Sequence, residues 1–138
     1  MNKLIRDVAD FHRHLGFPLA EGPTPRILAR RLALIDEEAS EVIGAMLEAQ
    51  QATESHVDAS EALRHVVHEL IDLTYVIAGT FVELGIDPQP AWDAVHAANL
   101  RKSRPADGGK AIKPAGWVAP VVPMLPLVFE EPANAAAS

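Results

Sequence analysis

From Leu28 the apolar residues recur at Leu28, Leu32, Ile35, Ala39, Val42 and Met46. This 4-3-4-3-4 spacing lays them along one face of an α-helix and matches no alternating strand. It predicts a helix opened by Thr24 as N-cap, with Pro25 in the first turn where its missing N–H costs nothing, and closed near Gln50. Two other stretches share the period: Leu4, Ile5, Val8, Phe11 and Leu15 within residues 2–15, and Leu63, Val66, Leu70, Leu73, Ile77 and Leu84 with Phe81 beside them. Asp58 and Glu61 have the form of a capping box before the latter helix, and Gly85 is its expected C-cap. Asp87 and Pro88 then cap a fourth helix that runs through Trp92, Val95 and Asn99 to about Lys102, where Pro105, Gly108 and Gly109 stop it. With no strand pair carrying a hairpin signal, the expected fold is all-α, an antiparallel four-helix bundle.

Regularity fails after the fourth helix. In WVAPVVPMLPLVF the prolines at 120, 123 and 126 exclude a helix interior or a central strand, yet the segment is too apolar for a solvated linker. Residues 1–120 therefore read as one helical domain and 121–138 as an apolar Pro-rich tail, extended and docked on the bundle or on a second subunit, its end from Pro132 frayed. The chain has no cysteine, which removes disulfides, thiolate nucleophiles and Cys-bound zinc, and leaves the cytoplasm as the expected compartment. Neither a signal-peptide core nor a membrane-length apolar run is present. Twelve Lys and Arg against 19 Asp and Glu give a net charge of −7, which argues against binding a nucleic acid polymer.

The acids are placed in a telling way. Glu37, Glu38 and Glu41 lie inside one apolar helix and Glu69 with Asp72 inside another, so residues three or four apart share a helical face. If the hairpin turns at residue 55, Glu41 and Glu69 are each 14 residues from the tip and Glu38 and Asp72 each 17, which levels the two sets in antiparallel helices. Carboxylates brought together in a groove need a counter-charge. Oxygen-only donors without Cys or a Glu-x-x-His pair point to a hard cation, Mg²⁺ or Mn²⁺. The competing reading of the same acids is a solvated helix face.

EEASE, followed after 27 residues by ELID, resembles the E-x-x-E, E-x-x-D signature of the MazG-like all-α nucleoside triphosphate pyrophosphohydrolases. AANLRKS and GGKAIKPAGW extend the resemblance over roughly residues 1–120, and the short form with an N-terminal FHRHLG helix is most similar to bacterial MazG-like dUTP pyrophosphatases. The resemblance implies Mg²⁺-dependent hydrolysis of a deoxynucleoside triphosphate, dUTP first, to monophosphate and pyrophosphate. It further implies a homodimer. In that frame Glu37, Glu41, Glu69 and Asp72 are the expected metal ligands and Glu38 the base, with the roles of Glu37 and Glu38 exchangeable. Asn99 and Lys102 stand where the family has substrate contacts, and Lys113 is nearby in sequence. Phe11, His12 and Trp117 are the candidates for touching the base, although such aromatic residues ordinarily belong to a core. His65 and His68 read as structural or solvent-facing, since neither matches a ligand in the family signature. No GxxxxGK is present, because Arg104 stands where its first glycine would be. Two alternatives stay open: the same chemistry on a phosphoribosyl or other non-canonical nucleotide, and a non-catalytic bundle that binds metal or a partner.

Overall fold

The computed structural model describes residues 3–129. Among these, four helices hold nearly all the regular structure: α1 (Lys3–Leu15), α2 (Pro25–Glu54), α3 (Ser60–Leu84) and α4 (Pro88–Asn99). The strands β1 (Ile86–Asp87) and β2 (Leu125–Pro126) add a two-residue antiparallel ladder. The all-α expectation is met. No helix among the described residues is long and apolar enough to cross a membrane.

Most helix ends obey the sequence. Thr24 caps α2 by accepting from Ile27 N at 3.2 Å, Gly85 closes α3 in the left-handed region at φ 69°, and Asp87 caps α4 through Gln89 N at 3.0 Å. The Asp58–Glu61 capping box does not form. Asp58 Oδ1 instead accepts from Ser60 N at 2.9 Å and Ser60 Oγ at 2.6 Å, a tight turn that delays the helix to Ser60. α2 runs to Glu54, past the expected Gln50, and α4 stops at Asn99 before Lys102.

The described residues divide into two compact units, one ending at Gly85 and one beginning at Ile86. In the first, α3 packs on both α1 and α2. Its core is offset from the apolar stripes. Along α2 the buried positions are Ile27, Arg31, Ala45 and Ala49, whereas Leu28, Leu32 and Met46 are exposed. Along α3, Val66, Glu69, Ala78, Val82 and Glu83 are buried, while Leu63, Leu70 and Ile77 of the expected stripe are exposed. α1 buries Ile5, Val8, Ala9 and His12 and leaves Leu4, Phe11 and Leu15 open. The hairpin thus turns a face of mixed charge inward, and small side chains at Ala45, Ala49 and Val66 let its far end close.

The loop from α1 to α2 is strapped to the end of α3 by Ala20 N donating to Val82 O at 2.9 Å and Gly22 N donating to Glu83 O at 3.2 Å. In the second unit, β2 places part of the Pro-rich segment against Ile86–Asp87, and Ser103 and Ile112 exchange both backbone hydrogen bonds, at 3.0 and 2.9 Å. The two-residue ladder suits a Pro-bearing segment, since Pro126 has no N–H to donate. The end from Pro132 lies outside the described residues.

Candidate functional site

α2 and α3 each contribute acids to one cluster. Oxygens of Glu38, Glu41 and Glu69 lie within 4.8 Å of one another, close enough for one cation to be shared. The tip arithmetic anticipates the Glu41–Glu69 part of this trio; Asp72, which it levelled with Glu38, lies outside it. Burial, then the charges of Glu41, Asp72, Glu37 and Glu69, hold the Glu38 carboxyl above its ordinary pKa. Glu41 is raised as well, by desolvation first and then by the charge of Glu69 and a hydrogen bond shared with it. Desolvation first and mutual repulsion second raise both groups, and a hard divalent ion beside them would favour their ionised forms. Glu69 is buried, so one ligand atom is already desolvated. Oxygen donors, convergence and raised carboxyls together fit Mg²⁺ or Mn²⁺. Glu37 and Asp72 are outside the trio yet close enough for their charges to raise both Glu38 and Glu41.

Of the two readings left open for them, structural or solvent-facing, His65 and His68 take the exposed one, but neither stands alone. His65 Nε2 lies 3.0 Å from Glu69 and its Nδ1 3.2 Å from Glu48, and His68 Nε2 lies 3.2 Å from Asp72. These contacts orient the two α3 acids from the solvent side.

A cavity of about 410 Å³ adjoins the cluster, with Glu38 and Asp72 among its lining residues. Antiparallel helices order the rest of the lining: from Glu38 the groove passes Leu34 to Arg31 and Arg30 on α2, and from Asp72 it passes Tyr75 and Val76 to Glu83 on α3. Phe11, His12 and Phe17 close it from α1 and the following loop.

At the Arg31 end lies a buried polar network. His12, Arg31 and Glu83 have relative exposures of 2%, 6% and 1%. Arg31 Nη2 donates to Glu83 Oε1, and Arg30 Nη2 donates to Glu83 Oε2 at 2.6 Å. Burial pushes the Glu83 carboxyl up, but hydrogen bonds and charge from Arg31 and Arg30 outweigh it, so it titrates below the ordinary carboxylate range. His12 is held below its usual value, chiefly by burial, although the Pro18 carbonyl opposes the shift. Its Nδ1 lies 3.0 Å from that carbonyl, which only accepts, so Nδ1 carries the proton and Nε2 accepts from Arg31 Nη2 at 3.3 Å. Gly79 leaves room for the guanidinium, since a Cβ there would come within 3.0 Å of Arg31 Nη1. Sequence periodicity marks only the backbone of this network: Arg31, Glu38 and Ala45 recur at seven-residue steps on one face of α2. Nothing local in the sequence assigns Glu83 as their partner.

The second unit gathers its own group. Lys102 Nζ donates to Asn99 Oδ1 at 2.7 Å, and the cations of Arg101, Lys102 and Lys113 stand 5.1, 5.4 and 5.9 Å from the Trp117 ring centre. All four residues expected to touch substrate, Asn99, Lys102, Lys113 and Trp117, therefore share one cluster. Trp117, considered above as a contact for the base, has cations over its ring in this structure.

The family described as phosphoribosyl-ATP pyrophosphohydrolase matches residues 8–99, a span that contains every acid of the cluster and every residue lining the cavity. No curated protein matches the chain.

Proposed function

The chain belongs to the phosphoribosyl-ATP pyrophosphohydrolase family, whose chemistry is pyrophosphohydrolysis of a nucleotide, and from that premise we propose that it cleaves a deoxynucleoside triphosphate between its α and β phosphates. The products are the monophosphate and pyrophosphate, and dUTP is the substrate proposed first. The observation that carries the reading is the convergence of Glu38, Glu41 and Glu69 beside a cavity of nucleoside-compatible size.

Glu38, Glu41 and Glu69 would hold Mg²⁺, with Asp72 one turn beyond Glu69 as a further ligand. The bound ion supplies charge neutralisation for the phosphates and acidification of a water. Glu37 lies about 100° round α2 from Glu38, and one of the two would orient the attacking water and take its proton. Membership of Glu38 in the trio supports the exchange in which Glu38 is a ligand and Glu37 the base. His65 and His68 steady Glu69 and Asp72. For the second unit we keep Asn99, Lys102, Lys113 and Trp117 as the proposed substrate contacts, supported by the cations of Lys102 and Lys113 gathered over the Trp117 ring. We further propose that the chain acts as a homodimer, which the exposed apolar stripes of α2 and α3 support.

Release of pyrophosphate from dUTP, dTTP, dCTP and phosphoribosyl-ATP, each with Mg²⁺ and with Mn²⁺, tests the reading. The expected result is turnover of dUTP that Glu41→Gln and Glu69→Gln both abolish. A preference for phosphoribosyl-ATP, the substrate in the family's description, would retain the chemistry and replace the substrate. No release from any of the four would leave a non-catalytic metal-binding bundle.

A further inference from the structure

The face that α2 turns toward α3 is not the one its apolar pattern favours. Leu28, Leu32 and Met46 of the stripe are exposed, while Ile27, Arg31 and Ala45, one residue round the helix, are buried. One residue is about 100° of rotation. Hydrophobic burial alone would make the opposite choice, since leucines at 28 and 32 offer more apolar surface than Ala45 and the charged Arg31. Turned that way, α2 would carry Glu38 and Glu41 away from Glu69.

The buried polar network stands where it can hold α2 in the observed facing. Arg31 is seven residues from Glu38 on α2, and Glu83 is fourteen from Glu69 on α3. Steps of seven return to nearly the same helical face, so network and acids share one face on each helix. Arg31 donates to one Glu83 oxygen and Arg30 to the other, across 52 and 53 positions of chain. Arg31 is 6% exposed and Glu83 1%, so rotating α2 would leave a buried carboxylate without its partners. Gly79 of α3 keeps the space open: an added Cβ would lie 3.0 Å from Arg31 Nη1 and 3.2 Å from His12 Nε2. An apolar plug of similar volume would hold the helices together at least as well, but it would not demand a single geometry.

We propose that the Arg31–Glu83 pair, with Arg30 and His12 around it, sets which face of α2 meets α3 and thereby positions Glu38 and Glu41 against Glu69. The proposal rests on the reading of those acids as a metal site, and it makes Arg31 and Glu83 positioning residues.

The chain has no cysteine, so the facing can be read with spin labels on Glu48→Cys and His65→Cys, exposed positions whose native side chains meet at 3.2 Å across the hairpin. The triple variant His12→Leu/Arg31→Met/Glu83→Leu replaces the network by an apolar plug, and Arg30, with 35% of its side chain exposed, can turn to water. Expected are a Tm within a few degrees of wild type, loss of the strong dipolar broadening seen with the network intact, and, in chains without the labels, Mn²⁺ binding at least roughly tenfold weaker. Where the triple variant does not fold, Glu83→Gln, which keeps the shape and one accepting oxygen, gives the same two readings with smaller losses. Unchanged broadening in a folded variant overturns the proposal, and so does lost broadening with unchanged Mn²⁺ affinity. Lost broadening with no Mn²⁺ bound even by wild type keeps the control of facing and removes the metal reading of the acids.

Discussion

Glu41 and Glu83 are glutamates of the same helical hairpin whose carboxyls move in opposite directions. Glu83, paired with two arginines, titrates below its ordinary value, so its contribution is present above that value and lost as acid drives the pH through the depressed one. His12 acts in the same sense: its favoured neutral form costs stability as the pH drops below 6.5. Glu41 runs the other way, because a raised carboxyl contributes stability at low pH that disappears as the pH rises through it. Glu41→Gln is therefore expected to raise the Tm of the ion-free protein by a few degrees at pH 7. The gain should vanish below pH 4.5, the ordinary carboxylate value, where wild type is protonated too. Thermal melts at the two pH values check this, and a lower Tm for the variant at pH 7 would contradict repulsion within the cluster. Added Mg²⁺ should stabilise wild type more than Glu41→Gln. At this scale the two halves of the cluster were legible in the sequence, since E-x-x-E and E-x-x-D dictate which acids of one helix share a face. Glu83 and its arginines were not, because their pairing spans 52 and 53 positions of chain.

The helices themselves follow from local chemistry. Thr24–Pro25, Gly85 and Asp87–Pro88 mark three ends as capping rules require, and the structure departs at the start of α3, where Asp58 turns onto Ser60, at the end of α2, which runs past Gln50 to Glu54, and at the end of α4, which stops at Asn99. Gly85 carries a second constraint that no capping rule states. Its φ is 69°, and a Cβ there would meet Ala20 Cβ at 2.8 Å, because the loop before α2 is pinned to α3 by Ala20 and Gly22. Gly85→Ala should thus destabilise by more than the roughly 1 kcal/mol of left-handed strain alone. Denaturant unfolding measures it, and a loss under 1 kcal/mol would mean that the loop yields. The face each helix buries was less legible than its ends. Apolar periodicity pointed to Leu28, Leu32 and Met46, yet burial within the chain follows Ile27, Arg31 and Ala45, one residue round the helix. An amphipathic stripe shows that some partner exists without saying which.

For the whole molecule, those stripes are the unfinished part. Leu28, Leu32 and Met46 on α2 and Leu63, Leu70 and Ile77 on α3 are exposed, a cost in water that association of two chains would remove. Sedimentation should give about twice the 14.9 kDa of one chain, and Leu32→Glu should shift the population toward monomer. A monomer at high concentration for wild type would leave the stripes without that partner. The sequence by itself determined the capped ends at Thr24, Gly85 and Asp87 and which acids stand side by side on each helix, because capping and the 3.6-residue period act over a single turn. Only the tertiary structure decided that Glu38 and Glu41 meet Glu69, that Glu83 joins Arg30 and Arg31, and that a cavity connects the two groups. Each depends on the register and facing of separate helices, set by packing between residues far apart in the chain.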